Sequence, residues 1–208
     1  MSEYLIPTGP GESEFTEKRS RFLGHVRMVE TEDEARAFIA EMKKKYYDAR
    51  HNCWCYSIRD GAERYSDDGE PQGSAGIPML EVLRRQNVTN AVCVVTRYFG
   101  GVLLGTGGLL RAYTKSTADA LEAAGISAVR RWVETELPCS YAQMERLKLE
   151  AQSAGGIVAD IEYGAGVTLK VLVPEEQIDA FAARIFDQTA GSVQVRATGE
   201  SFRAVPVR

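Results

Sequence analysis

Residues 94–113 read VVTRYFGGVLLGTGGLLRAY, and the reading of this stretch decides the fold. It continues an apolar run, Ala91–Thr96, rich in β-branched residues, which predicts a strand buried on both faces. Five glycines follow, Gly100, Gly101, Gly105, Gly107 and Gly108. A helix is then predicted from about Gly108 to Ala124, closed by Gly125. Leu109, Tyr113, Thr117, Ala120, Leu121 and Ala124 recur at helical spacing and form its inward face. Glycine permits close backbone approach, and a helix start presents N–H groups without intrahelical partners. Strand, glycine turn and helix together make a candidate anion or phosphate site.

Two nucleotide-binding patterns fail here. Gly100 and Gly105 hold the outer glycine spacing of a phosphate loop, but Thr106–Gly107 stands where its Lys–Ser/Thr pair belongs. Gly105 and Gly107 open a dinucleotide fingerprint, but Leu110 occupies the third glycine position. The reading therefore turns away from ATP and NAD folds. A purely structural role for the glycines stays open. Arg111 falls in the first turns of the helix, where the macrodipole disfavours a cation by a few tenths of a kcal/mol or more. A bound anion would compensate, and Lys115 lies one turn further on the same face. Arg97 ends the strand and could join this cluster or form a salt bridge to an acidic loop upstream.

That loop, SDDGEPQGSAGIP over residues 66–78, carries Asp67, Asp68 and Glu70. These carboxylates are candidate ligands for a hard cation such as Mg²⁺. The alternative is that they cap turns and the next helix, or pair with the arginines. No cofactor is otherwise indicated. His51, Cys53 and Cys55 alternate and should share one face of a strand. The paired C-x-x-C spacing of a zinc site is absent. His51 alone is a candidate acid/base or phosphate contact, or a hydrogen-bonded structural histidine. Lys18, Arg19 and Arg21 form a basic cluster flanked by aromatics, a combination suited to single-stranded nucleic acid or to a solvated strand entrance. No serine lies in a nucleophile-elbow pattern. The residues lean away from an enzyme.

The rest of the chain supplies the architecture. A polar lead-in covers residues 1–14. Phe22–Val29 and Asn52–Arg59 read as strands. Thr31 and Glu34 form a capping-box pattern ahead of a helix carrying Ala35, Phe38, Ile39, Met42 and Tyr46. Asp60–Gly61 marks a turn and Tyr65–Gly76 a polar loop. Pro78 sits in the first turn of a short helix reaching about Arg85. After a boundary near Val129–Trp132, strand Val133–Cys139, helix Tyr141–Ser153, strands Ile157–Tyr163 and Val167–Val173, helix Glu175–Gln188 and strand Ser192–Arg203 follow. This β-α-β-β-α-β order is the ferredoxin-like signature. The fold class is α+β, with domains over 1–131 and 132–208.

With 44% hydrophobic and 26% charged residues in 208, the chain reads as an ordinary soluble globular protein. Its net charge of −4 argues against a surface coated with positive charge for DNA. Residues 1–131 hold 18 basic and 18 acidic side chains, whereas 132–208 hold 7 and 11. Any nucleic-acid contact must therefore be a local basic patch in the first part. The start lacks a signal-peptide pattern and the apolar runs are too short to span a bilayer. The four cysteines, Cys53, Cys55, Cys93 and Cys139, show no disulfide-scaffold spacing, so a cytoplasmic location with reduced thiols is expected.

KRSRFLGHV (18–26), HNCWCYSIR (51–59), DDGEPQGSAGIP (67–78) and the 94–113 stretch, taken together, resemble the YigZ/IMPACT family. The C-terminal part is similar to the small second domain of the bacterial YigZ branch. The resemblance implies an N-terminal domain like the second domain of a small-subunit ribosomal protein and domain IV of elongation factor G. It implies a ferredoxin-like C-terminal domain similar to domain V of that factor. Eukaryotic relatives regulate translation under amino-acid starvation by competing for a kinase activator, a role that depends largely on an additional N-terminal domain. The resemblance carries over no catalytic residue. The expectation is an RNA- or ribosome-binding regulator of translation, with a protein partner also conceivable. Gly100, Gly101, Gly105, Gly107 and Gly108 would shape its anion turn. Arg97, Arg111 and Lys115 would contact phosphate, assisted by Lys18, Arg19, Arg21 and His51. The rival expectations are a metal-dependent phosphate-ester or nucleotide enzyme and a protein–protein adaptor.

Overall fold

The computed structural model describes residues 3–207, so residues 1–2 of the lead-in and residue 208 lie outside the described residues. The chain is mixed α/β and divides into two compact units. The first holds Tyr4–Ala128 and the residues from Ala204 onward; the second holds Val129–Arg203 with Glu3. No helix among the described residues is long and apolar enough to cross a membrane.

The first unit runs β1 (Tyr4–Pro7), β2 (Gly11–Glu17), β3 (Ser20–Met28), α1 (Glu32–Lys45), β4 (His51–Ser57), β5 (Glu63–Ser66), α2 (Gly76–Arg85), β6 (Ala91–Tyr98) and α3 (Thr106–Ala124). Its sheet has the order β2-β3-β6-β4-β5, with antiparallel pairs throughout. The central β6 is covered on both faces. Val92 and Val94 pack with Phe38, Ile39 and Met42 of α1. Cys93 and Val95 pack with α2 and α3 residues such as Met79, Leu83, Leu109 and Tyr113. Two-sided burial is why this strand reads as an unbroken apolar run.

At the start of α1, the Glu34 N–H donates to Thr31 Oγ1 at 3.2 Å. The Glu34 carboxylate accepts from the Glu30 N–H at 2.7 Å, one residue before the cap.

The lead-in is not irregular. Leu5 forms a bridge with Val88, and β2 pairs with β3 along its whole length. Glu12 and Glu14 point outward while Gly11 is buried and Ser13 and Phe15 are partly buried. The inward positions are small because α3 lies close. A Cβ on Gly11 would stand 2.0 Å from the Ala120 carbonyl oxygen, and one on Gly24 would stand 2.6 Å from that of Ser116. Ser13 Oγ donates to that same Ser116 oxygen at 2.8 Å. Close backbone approach replaces apolar bulk here, so the alternation lacks the hydrophobic residues that announce a strand. The polar loop expected from Tyr65 likewise begins as β5, which pairs with β4.

In the second unit, β7 (Ile126–Cys139), which begins in the first unit, is followed by α4 (Tyr141–Ser153), β8 (Ile157–Tyr163) and β9 (Val167–Pro174). A short 3₁₀ turn (Glu175–Gln177), α5 (Ile178–Gln188) and β10 (Arg196–Pro206) complete it. β9 lies between β7 and β8, and β10 also pairs with β7. Leu137, Leu147, Leu169, Val171, Phe181 and Ile185 form its buried core. The last strand runs to Pro206 rather than from Ser192 to Arg203. Thr189 and Ser192 instead close a turn, with Thr189 Oγ1 donating to the Ile185 carbonyl at 2.7 Å and Ser192 Oγ to that of Thr189 at 2.7 Å.

Candidate functional site

Two sequence-distant clusters meet at the start of α3. Lys18 and Arg19 form the β2–β3 hairpin tip, both at positive φ (44° and 65°), the conformation whose twist suits a two-residue hairpin turn. The glycine turn sits directly against that tip. The Gly100 N–H donates to Ser20 Oγ at 3.2 Å, and a Cβ on Gly100 would stand 2.0 Å from the Arg19 carbonyl carbon. Gly100→Ala must push two backbones apart and is expected to lower stability by about 1–3 kcal/mol or more. Gly101 faces open space but has φ +81°, so Gly101→Ala is expected to lower it by about 1–2 kcal/mol through backbone strain alone. Urea midpoints of the two variants check the pair.

Gly105, at φ +73°, caps α3 without a side-chain bond. The Leu109 N–H makes the first bond back to the Gly105 carbonyl, at 2.9 Å. The N–H groups of Thr106, Gly107 and Gly108 precede that bond and have no hydrogen-bond partner among the described residues. On one side of this helix start lies a groove of about 250 Å³ lined by Phe15, Glu17, Lys18, Gly108, Arg111 and Lys115 among others. Lys115 pairs with Asp119 and sits 5.3 Å from the Phe15 ring centroid. Lys18, Arg19 and Arg111 make no ion pair among the described residues. Arg21 points elsewhere, into a pair with Glu14 at 2.6 Å.

Arg97 lies in a different environment. The β-ladder sets it beside Phe22 on one strand and His51 on the other. It is 5% exposed and donates from Nη1 to Glu70 Oε1 at 2.6 Å. The fully buried Tyr113 hydroxyl donates to the same oxygen at 2.8 Å, and burial pushes that phenol far above its ordinary range. Arg97 Nη2 reaches Ser20 Oγ at 3.3 Å, and its Nε has no hydrogen-bond partner among the described residues. Of the two sequence alternatives for Arg97, the geometry is the salt bridge to the acidic loop. Arg111 lines the groove, whereas Arg97 lines a cavity on the other side of the α3 start.

The loop carboxylates diverge. Asp67 accepts from the N–H groups of Gly73, Ala75 and Gly76 at 2.8–3.1 Å and so holds the start of α2. Asp68 accepts from the Asn52 N–H at 2.7 Å and from Lys43 at 2.6 Å. Glu70 turns inward to Arg97. Among the described residues no group of three or more His, Cys, Asp or Glu side chains is gathered as a metal would need.

His51, Cys53 and Cys55 do share a face, toward α2 and α3. Burial pushes the Cys53 and Cys55 thiols well up, and that of Cys93 to about 12, so the three are inert core groups. His51 donates from Nδ1 to the Asp68 carbonyl at 2.8 Å and turns Nε2 toward Glu70 Oε2, 3.8 Å away. It lines a second cavity, a cleft of about 420 Å³ on the other side of the α3 start, with Arg50, Glu70, Arg97, Phe99 and Thr106 among its walls. The sequence reading did not foresee the Glu70–Tyr113 bond or Phe15 in the groove. Helical spacing places Tyr113 on the inward face, where it is fully buried, but its hydroxyl leaves no mark in a hydrophobic pattern.

A family model described as Impact N-terminal domain matches residues 18–121, and one described as a domain of unknown function matches 137–192. The family member YvyE of Bacillus subtilis is 35% identical over 198 residues, 94% of this chain and 91% of that protein. The chain belongs to the IMPACT family. Family member YigZ of Escherichia coli is 34% identical across 96% of this chain and the whole of its own length. A crystal structure titled only as that of an hypothetical protein superposes with a TM-score of 0.60 at 33% identity, covering 96% of this chain and 98% of that one. Protein IMPACT of Rattus norvegicus is 33% identical over 109 residues, 50% of this chain but 34% of that protein. Within this IMPACT family chain, the N-terminal domain match contains Lys18, Arg97, Arg111 and Lys115 and the whole lining of the cleft, while Phe15 and Glu17 of the groove precede it.

Proposed function

We propose that this chain is an RNA- or ribosome-binding protein with a regulatory role in translation, contacting phosphates through the groove beside α3. The observation that carries this reading is the convergence of Lys18 and Arg111 from elements more than ninety residues apart. They meet at a helix start whose first N–H groups have no partner among the described residues. An exposed cation near a helix N-terminus is mildly unfavourable alone; an anion lying across the groove satisfies Lys18, Arg111 and the Gly108 N–H together. Phe15, partly buried at the groove wall, stacks on Phe22 and has Lys115 Nζ 5.3 Å from its ring centroid, so the ring steadies a groove cation. Phosphate contacts of this type position a protein on a nucleic acid without reading its sequence.

In this reading, residues 1–131 form the phosphate-contacting domain. Residues 132–208, with 7 basic and 11 acidic side chains, form a ferredoxin-like domain turned toward protein rather than phosphate. Co-sedimentation of the purified protein with ribosomes and with total cellular RNA, at low and at high salt, tests it. Binding that weakens steeply with salt is expected. Salt-independent binding, or none, contradicts it.

A further inference from the structure

The cleft on the other side of the α3 start places His51 and Glu70 side by side in its wall. Asp68 offers His51 Nδ1 a carbonyl oxygen, which can only accept, so Nδ1 carries the proton. In the neutral ring Nε2 is then a lone pair, and it faces Glu70 Oε2 at 3.8 Å. That carboxylate is 3% exposed at its side chain. Its Oε1 already takes both Arg97 and Tyr113, while Oε2 has no hydrogen-bond donor among the described residues. With the ring neutral, two acceptors stand side by side at the cleft. One amine nitrogen can lie within hydrogen-bonding distance of both.

The rest of the cleft fits what would be attached to such an amine. Phe99 is half-exposed and Leu103 and Leu109 also line the walls, giving a flat, apolar body somewhere to lie. Arg50, whose side chain has no ion pair among the described residues, and the free Thr106 N–H supply an anion site. The volume of about 420 Å³ lies within the range of small-ligand sites.

We propose that this cleft binds a mononucleotide whose base carries an exocyclic amine, adenine or cytosine. The amine donates to His51 Nε2 and Glu70 Oε2, the base lies against Phe99, and the phosphate sits at Arg50 and the Thr106 N–H. The site is separate from the groove and does not rest on the RNA-binding reading.

Titration calorimetry of the full chain with AMP, IMP, CMP and UMP tests the proposal. IMP and UMP place a carbonyl oxygen where AMP and CMP place the amine, so two acceptors would meet a third. AMP is expected to bind at least about tenfold tighter than IMP, and CMP than UMP. His51→Ala is expected to narrow the discrimination between AMP and IMP, with Glu70 Oε2 left as the remaining acceptor, and Phe99→Ala to weaken both nucleotides alike. Lys18→Ala/Arg111→Ala should leave AMP affinity unchanged, so failure of the groove reading is separable from failure of this one. Equal affinity for AMP and IMP, or no binding of either, overturns the proposal. A ¹⁵N spectrum of unliganded His51 with both ring nitrogens protonated would overturn it too, because Nε2–H would then satisfy Glu70 itself.

Discussion

Glu70→Ala is expected to lower stability by about 3–5 kcal/mol, read as a shift of the urea unfolding midpoint. The size follows from what the substitution leaves behind. Arg97 would remain as a cation only 6% exposed at its side chain, with Ser20 as its one remaining side-chain hydrogen-bond acceptor among the described residues. The Tyr113 hydroxyl would lose its acceptor in a place water does not reach. An ion removed from water and stripped of its partner is far more costly than the pair was favourable. Glu70→Leu combined with Arg97→Met and Tyr113→Phe therefore recovers most of the loss, since apolar groups of similar volume make no such demand. A loss below about 1 kcal/mol for Glu70→Ala would show that the carboxylate is solvated and the cluster is not the buried one described.

The second large effect is on binding. Lys18→Glu/Arg111→Glu is expected to reduce affinity for single-stranded RNA by about a hundredfold at low salt. It replaces two attractive phosphate contacts by two repulsive ones. Neither residue has an ion pair to lose among the described residues, so stability should stay within about 0.5 kcal/mol of the parent. The combination separates this prediction from the first: the groove variant binds poorly and folds well, whereas the Glu70 variant is unstable before binding is considered. Undiminished RNA binding by the folded charge-reversal variant would remove the groove from the account.

Much of this site was legible in the chain, because its parts are local. The buried strand announces itself through Val92, Val94 and Val95. The helix face from Leu109 to Ala124 announces itself through its spacing, although the helix starts two residues before the expected Gly108. The flat alternation of β2 was unreadable for a physical reason. Gly11 and Ser13 are small to let α3 approach, so the strand has almost no hydrophobic signature. Partner choice was the other limit. Arg97 and Arg111 look alike in sequence, both near the glycine turn. One ends a central strand whose register points it at Phe22 and the incoming Glu70; the other sits on the outer face of α3. Only the sheet register and the path of the acidic loop distinguish them. The three loop carboxylates were equally ambiguous. Asp67 caps α2, Asp68 ties the loop to β4, and Glu70 enters the core, three destinations within four positions.

The most direct measurement is the slope of log affinity against log salt for a single-stranded RNA oligonucleotide, with the parent protein beside Lys18→Ala/Arg111→Ala. Each phosphate contact on a single strand contributes about −0.7 to that slope. The account predicts a clearly negative slope for the parent and one shallower by about 1.4 for the variant, with the two lines converging at high salt. Parallel lines of equal slope would mean that Lys18 and Arg111 touch no phosphate, and the central claim would be wrong.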